Sequence, residues 1–436
     1  MLNEEVPYMR EKKLTRKRWL ILIVCSLANL CLGSIYSWSV FAAPLGEYLS
    51  KLNHTTITSA DLAIVYTVAN SVGPITMITG GWFNDKFGPK KVILIGGIMF
   101  GLGMLLSGFS TSIPYLIISY GLLCGLGLGM DYGCIISTCV KFFPDKRGLI
   151  GGISTAAYGM SSVILPPIAA AIISVNGISF AFIFLGIIFT VILIICSLVI
   201  EKCPDSFIPA GWTPNISKCQ TQIKNYSWKS MLKMPIFYIM LFLLLCGAFS
   251  GMMIISQASS IASNLVGLAS TAASLAVSIL ALFNVTGRLM AGYLSDKIGR
   301  INMLTISNLL SILGLFILWS CGLGNIVKFH IGVSLVGFCF GSFMGIYPGF
   351  TADQFGSKNN SVNYGIMFIG FALAGFFGPT IMKTIYSITG HYNNSFLVAI
   401  LLSASGALLT IIYRIMNRKS RLKATYAFHA KNYYGL

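Results

Sequence analysis

Two charged residues interrupt long apolar runs in this sequence of 436 residues. Arg288 lies in NVTGRLMAGYLSDKIGR, residues 284–300, and Asp131 lies in GLGLGMDYG, residues 125–133. A guanidinium in apolar surroundings can grip a carboxylate through two parallel hydrogen bonds, which suits Arg288 to a small organic anion. The alternative is an arginine that snorkels to the surface or pairs only for structure. Asp131 leaves three readings open: an ion-pair partner of Arg288 that a ligand displaces, a protonatable group that carries H⁺, or a structural acid hydrogen-bonded inside a bundle. Two polar residues, Asn284 and Gln257, can hydrogen-bond a ligand or a neighbouring helix equally well.

Composition says what must hold these groups. The chain is 56% hydrophobic and 10% charged, with a mean hydropathy of +0.80. Soluble domains carry about a quarter charged residues, so the chain reads as a polytopic membrane protein embedded in a lipid bilayer. The net charge of +18 does not imply nucleic acid, because the basic residues sit in short loops and tails with no soluble domain to carry a basic face. Eleven cysteines are scattered through the chain without a CxxC pair, which fits small buried packing residues rather than metal or disulfide chemistry. The four histidines, His54, His330, His391 and His429, form no metal-ligand spacing with Cys or carboxylates. There is no P-loop. No metal, no cofactor and no enzymatic activity are expected. The charged stretch Glu4–Arg18 precedes a long apolar run and lacks a cleavage pattern, so it reads as a cytoplasmic tail and not a signal peptide.

About twelve segments are long enough to span, at roughly 20 residues each: 19–46, 58–83, 92–110, 115–140, 149–174, 178–200, 235–263, 268–293, 303–322, 328–352, 362–386 and 392–414. The expected fold is all-α, twelve transmembrane helices in two six-helix pseudo-symmetric bundles. The domain plan is an N-terminal tail (1–18), a first bundle (19–200), a linker (201–234) with Pro204, Pro209 and Pro214, a second bundle (235–414) and a C-terminal tail (415–436). With both termini cytoplasmic, that side holds 26 of the 30 Lys and Arg, and the other side only Lys51, Lys328 and Lys383. This asymmetry is the positive-inside pattern.

The halves repeat. GGWFNDKFGPKK at 80–91 returns 211 residues later: Gly81, Asp85, Lys86 and Gly88 match Gly292, Asp296, Lys297 and Gly299, and Lys90 and Arg300 complete the two copies. FFPDKRG at 142–148 precedes FGSKNNS at 355–361 by 213, and Pro166 precedes Pro379 by 213. Glycines recur four apart at Gly97/Gly101, Gly121/Gly125/Gly129 and Gly341/Gly345/Gly349, which allows close helix approach. Gly125, Gly127 and Gly129 follow an apolar span and no strand, which argues against a dinucleotide loop. The loop pattern, found once per half, resembles the signature of the major facilitator superfamily. That resemblance implies a transporter whose Asp85 and Asp296, at helix ends beside Lys86, Lys297, Lys90 and Arg300, pair to hold one access state closed. Such charges also set topology.

A narrower resemblance rests on SIYSWSVF at 34–41, KFFPDKRG at 141–148 and NYG at 363–365. These are similar to the oxalate/formate antiporter family. There, basic residues of helices 8 and 11 hold the anion inside an aromatic cage. The helix 8 arginine matches Arg288. The helix 11 lysine has no match: its place falls at or near Phe371, and no Lys or Arg lies between Lys358 and Lys383. Arg288 lies about 12 Å along the helix from Asp296, near the middle of a core roughly 30 Å thick. In that fold Tyr36, Trp38, Tyr132, Tyr347, Phe368 and Phe371 are the aromatics nearest the pathway. The expected function is secondary active transport of a small organic anion, a monocarboxylate before a dianion, by H⁺ symport or anion exchange across a plasma membrane, most simply a bacterial inner membrane, with the chain acting as a monomer. Open alternatives are an oxalate/formate-type dicarboxylate antiporter and a carrier of a neutral or cationic solute that uses Asp131 as its contact. A non-transporting sensor ranks last, since the linker of about 33 residues and tail of about 22 are short for a signalling domain.

Overall fold

A computed structural model of the chain describes residues 2–59, 61–205, 207–213 and 225–434. Residues 214–224 of the linker, Pro214 among them, lie outside the described residues. We label the spanning helices α1–α12. α1 combines Leu2–Leu32, a 3₁₀ turn at Gly33–Ser37 and Trp38–Asn53. α2 is Ala63–Phe87, α3 is Pro89–Ser107 and α4 is Ile113–Phe142, with a π-helical turn at Ile117–Cys124. Arg147–Val199 is one helical run that Gly177 (φ 81°, ψ 170°) divides into α5 (147–176) and α6 (178–199). After a short helix at Trp228–Leu232 follow α7 (Pro235–Val266), α8 (Ser270–Ile298), α9 (Arg300–Trp319), α10 (Ile326–Phe355), α11 (Asn360–Thr389) and α12 (Asn393–Tyr434).

Ten helical runs among the described residues have the length and hydropathy of a span. Dividing Arg147–Val199 and adding the more polar Ala63–Phe87 brings the architecture to twelve. Helices satisfy every backbone N–H and C=O internally, which a lipid surrounding demands. α1 already begins at Leu2 and α12 continues to Tyr434, so both tails prolong the helix beside them.

The chain forms two compact units. One comprises Met1–Phe143, Ile153–Phe207 and Asn360–Ile366. The other comprises Pro144–Gly152, Ile208–Asn359 and Met367–Leu436. The first residues of α11 therefore pack within the unit of α1–α4, and the first residues of α5 within the unit of α7–α10. A division at the linker alone misses this exchange.

Glycine spacing sets the packing in each unit. In the first, Gly125 and Gly129 of α4 abut the backbone of α2 at Ala69 and Gly73, while Gly127, on another face, abuts α3 at Gly96 and Phe100. In the second, Gly337, Gly341 and Gly345 of α10 lie against the carbonyls of Leu280, Asn284 and Arg288 on α8. A methyl group at Gly341 would overlap the Asn284 carbonyl oxygen.

The repeated loop motif also has a backbone explanation. α2 ends at Gly88 (φ 91°, ψ 168°) and α8 ends at Gly299 (φ 92°, ψ 146°), each N–H returning to a carbonyl four residues back, and the next helix starts at the following residue. This mirror-extended conformation is open to glycine almost alone. At Gly299 a Cβ would have room, the nearest atom being Asn302 Nδ2 at 3.9 Å, so the requirement there is conformational. Gly299→Ala is predicted to cost about 1–3 kcal/mol, read as a lowered melting temperature of the purified protein. Gly299→Asn should do no better, because asparagine's tolerance is for the left-handed helical region and not for this ψ.

Candidate functional site

In the first unit the Asp85 carboxylate closes the N-terminus of α11. Its Oδ1 accepts from the Ser361 N–H at 3.3 Å and its Oδ2 from the Val362 N–H at 3.0 Å. Lys141 Nζ donates to Oδ1 at 2.6 Å. Asn84 Nδ2 donates to Ser361 Oγ at 2.8 Å, and Ser361 in turn donates to Ser137 Oγ at 2.9 Å. Gly81 permits the approach, since a Cβ there would stand 2.7 Å from the Ser361 carbonyl. The second unit repeats the device on α5. Asp296 accepts from the N–H groups of Gly148 at 3.0 Å and Leu149 at 2.8 Å, and pairs with Arg300 at 2.7 Å. Gly292 and Gly148 lie backbone to backbone. Arg300 also reaches Asp353 at 2.9 Å, which Arg147 holds at 2.7 Å. The first N–H groups of a helix lack intrahelical acceptors and carry the positive end of its dipole, so a carboxylate there answers both needs.

Lys86 and Lys297, next to these acids in sequence, point elsewhere. Lys86 Nζ lies 5.1 Å from the Trp82 ring centroid and 5.2 Å from that of Phe87, and Lys297 Nζ lies 4.4 Å from that of Tyr293. Adjacent residues on a helix diverge by about 100°, so the partner of Asp85 comes from α4 instead. Lys90 is exposed.

Within the second unit, Arg288 is 2% exposed. Its Nε donates to Asn284 Oδ1, one turn earlier on α8, at 3.0 Å. Backbone contacts seat this turn from two sides: Gly345 of α10 and Gly152 of α5 both abut the Arg288 carbonyl. Tyr347 is buried, with its hydroxyl donating to the Met240 carbonyl of α7 at 2.8 Å. Phe368 stacks on Phe371 with centroids 4.4 Å apart, and Phe371 lies 6.2 Å from Phe340. Gln257 is half-buried on α7.

The first unit contains the other candidates. Tyr158 of α5 joins Tyr36 of α1 at 5.1 Å and Tyr132 of α4 at 4.7 Å, making a cluster of three tyrosines. Trp38 turns to Tyr120 at 4.7 Å, and Tyr120 to Phe182 at 6.0 Å. Asp131 is fully buried against α3, where a Cβ at Gly96 would overlap its Oδ1 and one at Gly97 would lie 3.5 Å from its Oδ2. Neither oxygen has a hydrogen-bond partner among the described residues. Asp131 and Arg288 thus belong to different units.

Sequence reading gave no role to Tyr158, Lys141, Ser361 or Asp353. Tyr158 stands in STAAYGM, where no spacing marks it, and only the packing of α5 against α1 and α4 reveals it. Lys141 was visible as the first residue of KFFPDKRG, the stretch that resembles the antiporter family, but its partner 56 residues away was not.

Paired halves of spanning helices, a repeated charged turn and a buried arginine define a membrane transporter of the two-repeat class. The chain belongs to the major facilitator superfamily, whose sequence model matches residues 18–379 and 253–427. It is 30% identical over 359 residues to the uncharacterised MFS-type transporter YhjX of Escherichia coli (strain K12), covering 82% of this chain and 86% of that one. It is 28% identical over 407 residues to the oxalate:formate antiporter of Oxalobacter formigenes, covering 92% and 93%. Among solved structures, the proton:xylose symporter XylE bound to 6-bromo-6-deoxy-D-glucose shares the fold with a TM-score of 0.72 at 14% identity, covering 90% of this chain and 95% of that one.

The helix-capping acids separate from the adjacent lysines in a stability test. Asp85→Ala and Asp296→Ala are each predicted to cost about 1–2 kcal/mol through loss of an N-terminal cap. Lys86→Ala and Lys297→Ala should leave the melting temperature of the detergent-purified protein nearly unchanged.

Proposed function

We propose that the chain is a secondary active transporter of a small organic anion, a monocarboxylate before a dicarboxylate, working by alternating access of its two repeated halves. The observation that carries this reading is Arg288, a guanidinium 2% exposed in the middle of α8. A charge at that depth costs at least about 2.5 kcal/mol on insertion scales and faces a partner or a polar cavity. A carboxylate answers it with matched geometry. The likeness to the oxalate:formate antiporter over 92% of the chain supports an anion. The absence of Lys and Arg between Lys358 and Lys383 favours one negative charge over two, since the second cation of the antiporter family has no counterpart at or near Phe371.

Movement is by exchange with another anion or together with H⁺. Exchange needs only that substrate neutralise Arg288 in each crossing. Symport needs a titratable group, for which Asp131 is the candidate within a span. The chain is placed in a plasma membrane, most simply a bacterial inner membrane, with both termini cytoplasmic, as the 26 to 3 distribution of basic residues supports.

Reconstituted liposomes loaded with labelled formate, lactate, pyruvate or oxalate, with and without a pH gradient, test the reading. A monocarboxylate should be carried, and Arg288→Gln should reduce its flux by at least about 100-fold, as expected for loss of a charged hydrogen-bonded contact. Transport of oxalate alone would favour the dicarboxylate antiporter. Flux of Arg288→Gln at the wild-type rate would remove the anion site from α8. Asp131→Asn should abolish any dependence on the pH gradient if the acid carries the proton.

A further inference from the structure

We propose that the turn between α2 and α3 is a binding surface for an anionic phospholipid, with Lys86 as its central contact. The partner is a component of the membrane, so the inference does not rest on what the chain carries. After two spans the chain is back on the side of its N-terminus, and here α2 ends in a patch of rings. Trp82, Phe83 and Phe87 are 42%, 44% and 54% exposed. The Trp82 and Phe83 centroids lie 5.0 Å apart, and Phe83 stacks on Phe87 at 6.0 Å. Exposed Ile75 and Thr79 lead along the helix to Trp82, Phe83 and Lys86, a spacing that keeps all five on one face. The other face carries Met77, Gly81 and Asn84, which are buried. The rings therefore end the outward face of α2. Exposed aromatic side chains at the end of a span belong at the level of the lipid headgroups.

Charge selects the headgroup. Lys86 Nζ rests over two of these rings, 5.1 Å from Trp82 and 5.2 Å from Phe87. Lys90 and Lys91 stand exposed in the first turn of α3. Lys202 lays its stem on Gly88 and donates from Nζ to the Lys86 carbonyl at 3.3 Å. None of these four lysines is ion-paired among the described residues. The acids next to them in sequence are engaged elsewhere: Asp85 with Lys141 and the start of α11, Glu201 with Lys17 at 3.1 Å. The first turn of a helix favours acids over bases, so Lys90 and Lys91 do not serve the stability of α3. Topology accounts for lysines on this side of the membrane, but not for their gathering at three exposed rings. A phosphate joined to acyl chains answers both parts, the lysines taking the headgroup while the rings and lysine stems lie along the chains. A zwitterionic lipid would bring its own cation against the lysines. The repeated turn lacks this surface. There Lys297 rests over the one ring of Tyr293, Ile301 and Asn302 follow Arg300, and Arg300 is paired with Asp296 and Asp353.

The test titrates the full chain, in neutral detergent, with dioleoylphosphatidylglycerol and separately with dioleoylphosphatidylcholine, and reads bound lipid by native mass spectrometry. The wild type should bind the phosphatidylglycerol about 10-fold more tightly or better. Lys86→Gln should lower that preference about 5-fold, the effect of one basic residue at an anionic surface. Joint substitution of Lys86, Lys90, Lys91 and Lys202 by Gln should abolish it, whereas Lys297→Gln at the repeated turn should leave it unchanged. Trp82→Ala combined with Phe87→Ala should weaken both lipids, because the rings meet the chains whatever the headgroup. Glycerol 3-phosphate, which lacks acyl chains, should not displace the bound phosphatidylglycerol. Equal affinity of the wild type for the two lipids would overturn the proposal. So would a preference that survives the fourfold substitution, or one that Lys297→Gln lowers as much as Lys86→Gln. Displacement by glycerol 3-phosphate would mark a site for free phosphate and overturn the lipid as partner.

Discussion

Close contact between helix backbones is the constraint from which the rest of this structure follows. In a bilayer the lipid tails are as apolar as leucine, so helices gain little by hiding apolar side chains from their surroundings. What remains is van der Waals contact, and its strength depends on how near two backbones can come. The glycines of α4 and α10 set that distance in their respective units. Because they recur four apart, they form a stripe along one helix face, and each stripe selects one partner: α2 for Gly125 and Gly129, α8 for Gly337, Gly341 and Gly345. The side chains on the partner helix are then carried to fixed places. Arg288 and Asn284 stand on the turns of α8 that this contact seats.

The second organising force is charge at helix ends. Asp85 and Asp296 occupy matching places in the repeat, and each binds two backbone N–H groups at the start of another helix. Such contacts are directional. Their cationic surroundings differ: Asp85 has Lys141, whereas Asp296 has Arg300, which is also joined to Asp353 and through it to Arg147. The repeat is thus one of backbone geometry, with side-chain partners chosen separately in each half.

The two halves depart from the repeat at two charged positions within spans. Arg288 occurs in one half and Asp131 in the other. They differ in surroundings as well as in charge. Arg288 shares a hydrogen bond with an amide on its own helix. Asp131 is turned to the glycine face of α3, with no hydrogen-bond partner for either oxygen among the described residues.

Most of the architecture was legible from the sequence because a bilayer reduces the choices. Long apolar runs read as helices, and glycine and the repeated turn mark their ends. The positions of Gly88 and Gly299 could be read as turns since few other residues adopt their backbone angles. Arg288 was legible because a lone arginine in an apolar run is itself a signal. What the sequence could not determine was pairing. Nothing along the chain says that Asp85 meets Lys141 and not Lys86, that Tyr158 joins Tyr36 and Tyr132, that Tyr347 spends its hydroxyl on the Met240 carbonyl, or that the first turns of α5 and α11 pack with the opposite set of helices. These contacts depend on the rotation of each helix about its own axis and on which helices are neighbours, and tertiary packing alone decides both.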